Sequence, residues 1–281
     1  MNLEDIVIRQ MSKSELDRAL DWAAAEGWNP GLYDAESFYA VDPKGFFIAE
    51  RAGEPLGCVA AVAYDESFGY VGLFIVRPPY RGQGVGLRLL DVALRHVQGR
   101  NVGLDAAIDL QQTYAGFGFK FAHRNIRHRC VGGAGEASSD VTELAEVPFD
   151  EIMRYDQTVF PASRPNFLSR WIAQPQSAAL AVVKQGRLAG YGVLRACRDG
   201  HKIGPLFADD PQIADALFQS LCARTAGAAV LLDTPEANGA AIELAQRRAM
   251  TAVFDTARMY TKGTPLGRID RCYGVTTFEL G

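Results

Sequence analysis

Cysteine is scarce and unpatterned in this 281-residue chain. Its five cysteines, Cys58, Cys130, Cys197, Cys222 and Cys272, lie far apart and are odd in number. No CxxC pair occurs, and the four histidines show no HExxH spacing. Neither a disulfide framework nor a thiolate or histidine metal cage is therefore indicated, and buried free thiols are expected, with no metal. Long apolar runs are missing too: none reaches the roughly 18 residues that span a bilayer. The opening MNLEDIVIRQ is acidic and lacks the basic start and apolar stretch of a signal peptide. The expected location is cytoplasmic, with no membrane partner. Basic charge is also in short supply. A formal net charge of −4 argues against a nucleic-acid partner, which calls for a basic face.

What the chain does have is apolar residues, 48% of the total, enough for two ordinary cores at roughly 100–200 residues per domain. Self-comparison supports two units. Residues 47–64 read as a strand, a tight glycine turn and a second strand, and residues 180–197 read the same way. Gly53 and Gly57 fall on Gly186 and Gly190; the same offset puts Leu73-Phe74 on Leu206-Phe207 and Pro78 on Pro211. Further on, Leu104-Asp105 matches Leu232-Asp233 after a loss of residues from the second half.

Each half opens with a short strand (residues 5–10 and about 140–146), followed by helical pattern. In the first half Ser12 or Ser14 can cap a helix with apolar positions at Leu16, Ala19, Leu20 and Ala23. A hairpin follows, then an apolar strand over 70–76, a helix over 86–97, a strand over 102–106, a short helix and a closing strand. Hairpins plus a strand–helix–strand crossover predict an α/β (α+β mixed sheet) fold, antiparallel early and parallel in the middle. The Gly/Ser-rich stretch after Val131 reads as a linker, with the domain boundary near residue 135, giving units 1–135 and 136–281.

One loop carries chemistry. The strand ends at Pro78-Pro79, where a sheet interior cannot continue. The loop Arg81-Gly82-Gln83-Gly84-Val85-Gly86 then opens a helix. Its glycines permit sharp turns and close backbone approach, and the first amides of a helix have no intrahelical partners, so they form an anion site. A dinucleotide fingerprint would need glycine at position 87, which is Leu87, and a Walker loop would need Gly-Lys-Ser/Thr, which is absent.

With Arg81, Gly84 and Gly86 at R/Q-x-x-G-x-G/A between strand and helix, residues 1–130 resemble the GNAT acetyltransferases. Val76-x-Pro78-x-Tyr80-Arg81-Gly82 and Tyr114-Ala-Gly-Phe-Gly118-Phe119 are similar to further elements of that family. In the second half Asn238-x-x-Ala241-x-x-Leu244-Ala245-x-x-x-Ala249-Met250 resembles the same late element, with Ala245 at the tyrosine position. There the glycine loop has become Asp209-Asp210-Pro211-Gln212, whose carboxylates would repel a pyrophosphate. The expectation is two tandem GNAT-like domains, the second degenerate and substrate-shaping or scaffolding.

The resemblance implies an enzyme that passes an acetyl group from acetyl-CoA to a primary amine of a small molecule or amino acid. It implies that Phe74, Ile75 and Val76 pair with the pantetheine arm and that an amide near Val76 meets the developing oxyanion. Amides from Gly82 through Leu87, including Gln83 and Val85, would take the pyrophosphate. Tyr114 would protonate the departing thiolate, the alternative being a packed aromatic. Asp109 is the candidate base, or else a helix cap; Asp105, matched by Asp233, reads as structural. Asp65 and Glu66 read as turn residues, and residues 123–129, rich in His and Arg, as a charged edge strand. A protein acetyltransferase and a non-catalytic acyl-CoA sensor remain open alternatives, and an oligomer is possible.

Overall fold

The computed structural model describes residues 5–133 and 138–281. The boundary expected near residue 135 lies outside the described residues. The first half runs β1 (Val7–Gln10), α1 (Lys13–Ala25), α2 (Asp34–Val41), β2 (Phe46–Arg51), β3 (Glu54–Ala63), β4 (Phe68–Val76), α3 (Val85–His96), β5 (Asn101–Ala107), α4 (Gln111–Gly116) and β6 (Lys120–Val131). The second runs β7 (Val141–Glu143), α5 (Phe149–Val159), α6 (Pro165–Trp171), β8 (Ser177–Lys184), β9 (Arg187–Ala196), β10 (His201–Ala208), α7 (Pro211–Cys222), β11 (Ala229–Pro235), α8 (Gly239–Arg247), β12 (Thr251–Tyr260) and β13 (Cys272–Gly274). No described helix is long and apolar enough to cross a membrane.

Local chemistry explains the elements. Ser12 and Glu15 form a reciprocal capping box at the start of α1, which buries Leu16, Ala19, Leu20 and Ala23 on one face. The two hairpins share one turn: Ala52-Gly53 and Gln185-Gly186 all have positive φ, the conformation that matches the twist of flanking strands. Asp65 accepts from the amides of Ser67 and Phe68 and closes the β3–β4 turn. The late element of the second half keeps its backbone as well. Ala249 takes φ 49° where Gly118 takes 89° in the first half.

The described strands join one mixed sheet in the order β1-β2-β3-β4-β5-β12-β6-β11-β10-β9-β8-β7, with β13 on β10. The closing strands have changed places. β12, from the second half, pairs with β5 of the first, and β6, from the first, pairs with β11 of the second. β6 and β12 also pair with each other, antiparallel. On one face α3 covers the first half, while α7 and α8 cover the second. On the other, a single core spans both halves: Trp171 of α6 stacks on Phe38 of α2 and on Phe167.

β6 is thus a central strand, and its reading as a charged edge is corrected. Arg127 is buried, and its guanidinium forks onto Asp233 of β11, with Nε and Nη2 each 2.7 Å from a carboxylate oxygen. Arg258 of β12 makes the mirror contact with Asp105 of β5, at 2.9 and 2.7 Å. Asp105 also accepts from Tyr70, Asn125 and Thr256. Burial alone would raise the Asp233 carboxyl, but the adjacent Arg127 charge prevails and holds it below the usual range.

Arg258→Met leaves Asp105 charged and buried without its fork, and should cost about 3–5 kcal/mol of stability in urea titrations. The paired change Arg258→Met with Asp105→Leu should cost clearly less.

A pH effect follows from the same strands. Burial, helped by Arg258, lowers His123 to about 4, and burial also lowers His128 and His201. The unfolded chain then binds more protons than the folded one below its histidine pKa of about 6.5, so stability falls as pH drops from there toward 4. Denaturant midpoints at pH 7 and pH 5 measure this; an unchanged midpoint would contradict neutral buried imidazoles.

Candidate active site

β4 and β5 run parallel only from Phe68–Tyr70 beside Asn101–Gly103. Beyond that the strands part. Among the described residues, β4 pairs with no further strand on that side. On its other side β4 carries a bulge, with Leu73 and Phe74 between Gly72 and Ile75 set against Val59 alone between Ala60 and Cys58, and with Leu73 at φ 46°. A bulge leaves an extra residue unpaired and re-aims the strand.

Two spaces open at this parting. A groove of about 500 Å³ lies over the start of α3, and a cavity of about 90 Å³ lies between the parted strands. Phe74, Leu110 and Tyr114 line both, so they mark the junction. Tyr114 is buried, its ring edge-on to Phe119 at 6.0 Å. Burial pushes its phenol well above the ordinary value, so it holds its proton at neutral pH.

The glycine loop has the backbone an anion needs. Gly82 and Gly84 have φ 71° and 84°, and Gly84 caps α3 without a side chain. A Cβ at Gly82 would meet nothing within 4 Å, whereas one at Gly86 would press on Phe74 at 3.3 Å. The amides of Val85, Gly86 and Leu87 begin the helix and have no intrahelical partner. These residues fit a pyrophosphate held by backbone donors.

The structure brings Phe74, Val76, Arg81, Gly82, Gly84, Gly86 and Leu87 to the groove. Arg81 donates from Nε to the Val76 carbonyl at 2.8 Å and pairs with Glu26. Gln83 donates to the Pro79 carbonyl at 2.7 Å. Ile75 and Val85 turn their side chains into the core. Asp109 lies exposed on the turn before α4 and lines neither space. The expected base is therefore not brought to the cavity.

The second half parts in the same way and is closed. β10 and β11 are parallel only from His201–Ile203 beside Val230–Leu232. The notch beyond holds β13, whose Cys272 and Gly274 pair with Phe207 and Leu206, while the Val275 amide donates to the Asp233 carbonyl. At the start of α7, Asp210 accepts from the Ile213 amide at 2.8 Å, and Pro211 has no amide to offer. A carboxylate stands where the first half presents free donors.

The chain past β13 was not legible as part of a site. It crosses to the first half, where the Tyr64 hydroxyl donates to the Leu280 carbonyl at 2.8 Å and Phe278 and Glu279 line the cavity. A Cβ on Gly72 would lie 1.9 Å from the Glu279 carbonyl oxygen. Gly72→Ala should therefore displace residues 275–281, at a cost of about 1–3 kcal/mol. Hydrogen exchange confined to that segment would register it; unchanged protection would contradict the contact.

Residues 13–119 match the model of the acetyltransferase (GNAT) family, and residues 152–274 match that of the acetyltransferase (GNAT) domain. The chain is 29% identical to a holothin acyltransferase of a Pseudoalteromonas species, over 93% of this chain and 90% of that protein. In fold it is similar to a putative acetyltransferase from Pyrococcus horikoshii, with TM-score 0.85 and 22% identity over 100% of this chain and 98% of that one. It is also similar to a tandem GNAT protein from the clavulanic acid biosynthesis pathway, with TM-score 0.63 and 12% identity over 91% and 97%.

Proposed function

The chain belongs to the GNAT acetyltransferases, with a domain of that family in each half, and from this premise we propose that it transfers the acetyl group of acetyl-CoA to a primary amine of a small molecule at the parted strands of its first half. One observation carries the reading: a glycine loop opening α3 and a proton-holding tyrosine meet at the junction of a groove and a cavity. Acetyl-CoA, when bound, supplies a thioester. The amides from Gly82 to Leu87 hold its pyrophosphate, and the free edge of β4 from Phe74 to Val76 accepts the pantetheine arm as a strand accepts a neighbour. An amide beside the bulge meets negative charge developing on the acyl oxygen. Tyr114 keeps its proton because it is buried, gives it to the sulfur as the C–S bond breaks, and regains one from the proton that the attacking nitrogen gives up as the C–N bond forms.

The acceptor occupies the cavity. Its small volume and its closure by residues 278–279 favour a compact amine over a peptide. The name of the holothin acyltransferase, a relative along nearly the whole chain, points to a single compound as acceptor. In this reading the second half scaffolds and shapes the site without binding cofactor, since its notch holds β13 and its helix start is capped by Asp210.

Calorimetric titration with acetyl-CoA should give one site per chain, abolished by Gly84→Glu. Two sites would overturn the asymmetric reading, and no binding would sink the acyltransferase claim. Tyr114→Phe should lower kcat by about 10²-fold or more while leaving acetyl-CoA affinity unchanged. An unaltered kcat would remove Tyr114 from the proton path.

A further inference from the structure

We propose that Glu279 recognises the acceptor's amino group, and that the acceptor is a primary ammonium on a flat apolar body with no carboxylate of its own. The inference rests on the acyltransferase reading and names the substrate class of the same cavity.

Besides Trp28 and Tyr114, whose rings carry an N–H and a hydroxyl, four residues with polar or charged side chains line that cavity: Asp105, Arg127, Thr256 and Glu279. Three are spent on the protein. Asp105 takes the Arg258 fork together with Tyr70, Asn125 and Thr256. Arg127 gives Nε and Nη2 to Asp233 and Nη1 to the Trp28 carbonyl at 2.9 Å. The Thr256 hydroxyl donates to Asp105 at 3.2 Å.

Glu279 differs. It is only 3% exposed, and its Oε2 accepts from the Thr277 hydroxyl. Among the described residues, Oε1 accepts no hydrogen bond, and no ion pair joins Glu279 to a cation. Arg127, Lys202 and Arg195 act on it through space, but Arg127 is forked onto Asp233, the Lys202 ammonium donates to the Trp28 carbonyl at 3.1 Å, and Arg195 pairs with Asp34 at 3.4 Å. A carboxylate oxygen almost withdrawn from water and left without a donor is costly. Among the described residues, the other two donors in the lining, the Tyr114 hydroxyl and the Trp28 indole N–H, make no hydrogen bond to Glu279, so a ligand N–H can take that place.

The remaining walls choose the rest of the molecule. Trp28, Phe74, Phe254 and Phe278 present rings. Arg127 already lies over Phe278 at 4.7 Å and Phe254 at 5.8 Å, which shows these faces accommodate a cation. An acceptor carboxylate would meet Glu279 and Asp105 and find no free cation in the lining. Position fits as well: the Glu279 carbonyl lies against Gly72, two residues along β4 from Phe74 at the junction with the groove.

The test uses the full chain with acetyl-CoA and three probes: 2-phenylethylamine, phenylalanine and 2-phenylethanol. The wild-type protein should acetylate 2-phenylethylamine with kcat/KM at least about tenfold above that for phenylalanine, and should bind it about tenfold tighter than the neutral alcohol. Glu279→Gln should raise KM for the amine about tenfold or more, with a much smaller change in kcat and unaltered acetyl-CoA affinity. Equal binding of amine and alcohol by the wild type overturns the assignment, and decides the matter even if the variant folds poorly. So does an unchanged KM in a folded variant, or a wild-type protein that binds acetyl-CoA but neither binds nor acetylates the amine. Failure to bind acetyl-CoA would instead overturn the acyltransferase reading itself.

Discussion

The fold depends on two buried aspartate–arginine forks, Asp105 with Arg258 and Asp233 with Arg127. Each joins a strand native to one half to the closing strand of the other, so the exchange of β6 and β12 is written into charge pairing as well as backbone ladders. Such pairs stabilise little over apolar packing but punish mispairing heavily, because a lone buried charge cannot be left. If each closing strand returned to its own half, each fork would have to be rebuilt with a different partner. The forks also reach the function. Asp105 and Arg127 form part of the cavity lining, together with Phe254 and Thr256 of the exchanged β12.

The same parting of parallel strands meets two fates. In the first half the free edge of β4 stays open beside a glycine loop whose amides have no partners. In the second, β13 fills the notch and Asp210 satisfies the helix start from within. The two outcomes are connected by one length of chain. The segment that fills the second notch continues to Glu279, whose carbonyl lies on Gly72 and whose side chain walls the first cavity. The filled notch of the second half and the wall of the first half's cavity are parts of a single path.

Much of this was legible in the sequence, and the reasons are local. The loop from Arg81 to Gly86, the helix cap offered by Ser12 or Ser14 and the hairpin glycines express short-range rules, and the structure follows them. Asp105 was read as structural from its match with Asp233, and both are held by buried arginines, Arg258 and Arg127. The strand exchange was not legible, because an alternating pattern specifies a strand and its buried face but not its neighbour. The charges of β6 resembled an edge for the same reason: the partner of Arg127 lies 106 residues away. Glu279 gave no signal, since residues 275–281 carry no periodicity and matter only through where β13 leaves them. Asp109 was attractive for its place after a strand, yet the turn before α4 points it to solvent.

In the proposed function a single acyl donor site lies on β4 and the start of α3, with its acceptor cavity closed by chain from the other half. A crystal structure of the protein with bound CoA tests it most directly. The expected density is pyrophosphate on the amides from Gly82 to Leu87, the pantetheine arm along Phe74 to Val76, and its sulfur beside Tyr114. CoA on β10 and the start of α7, or CoA seated away from Tyr114, would contradict it.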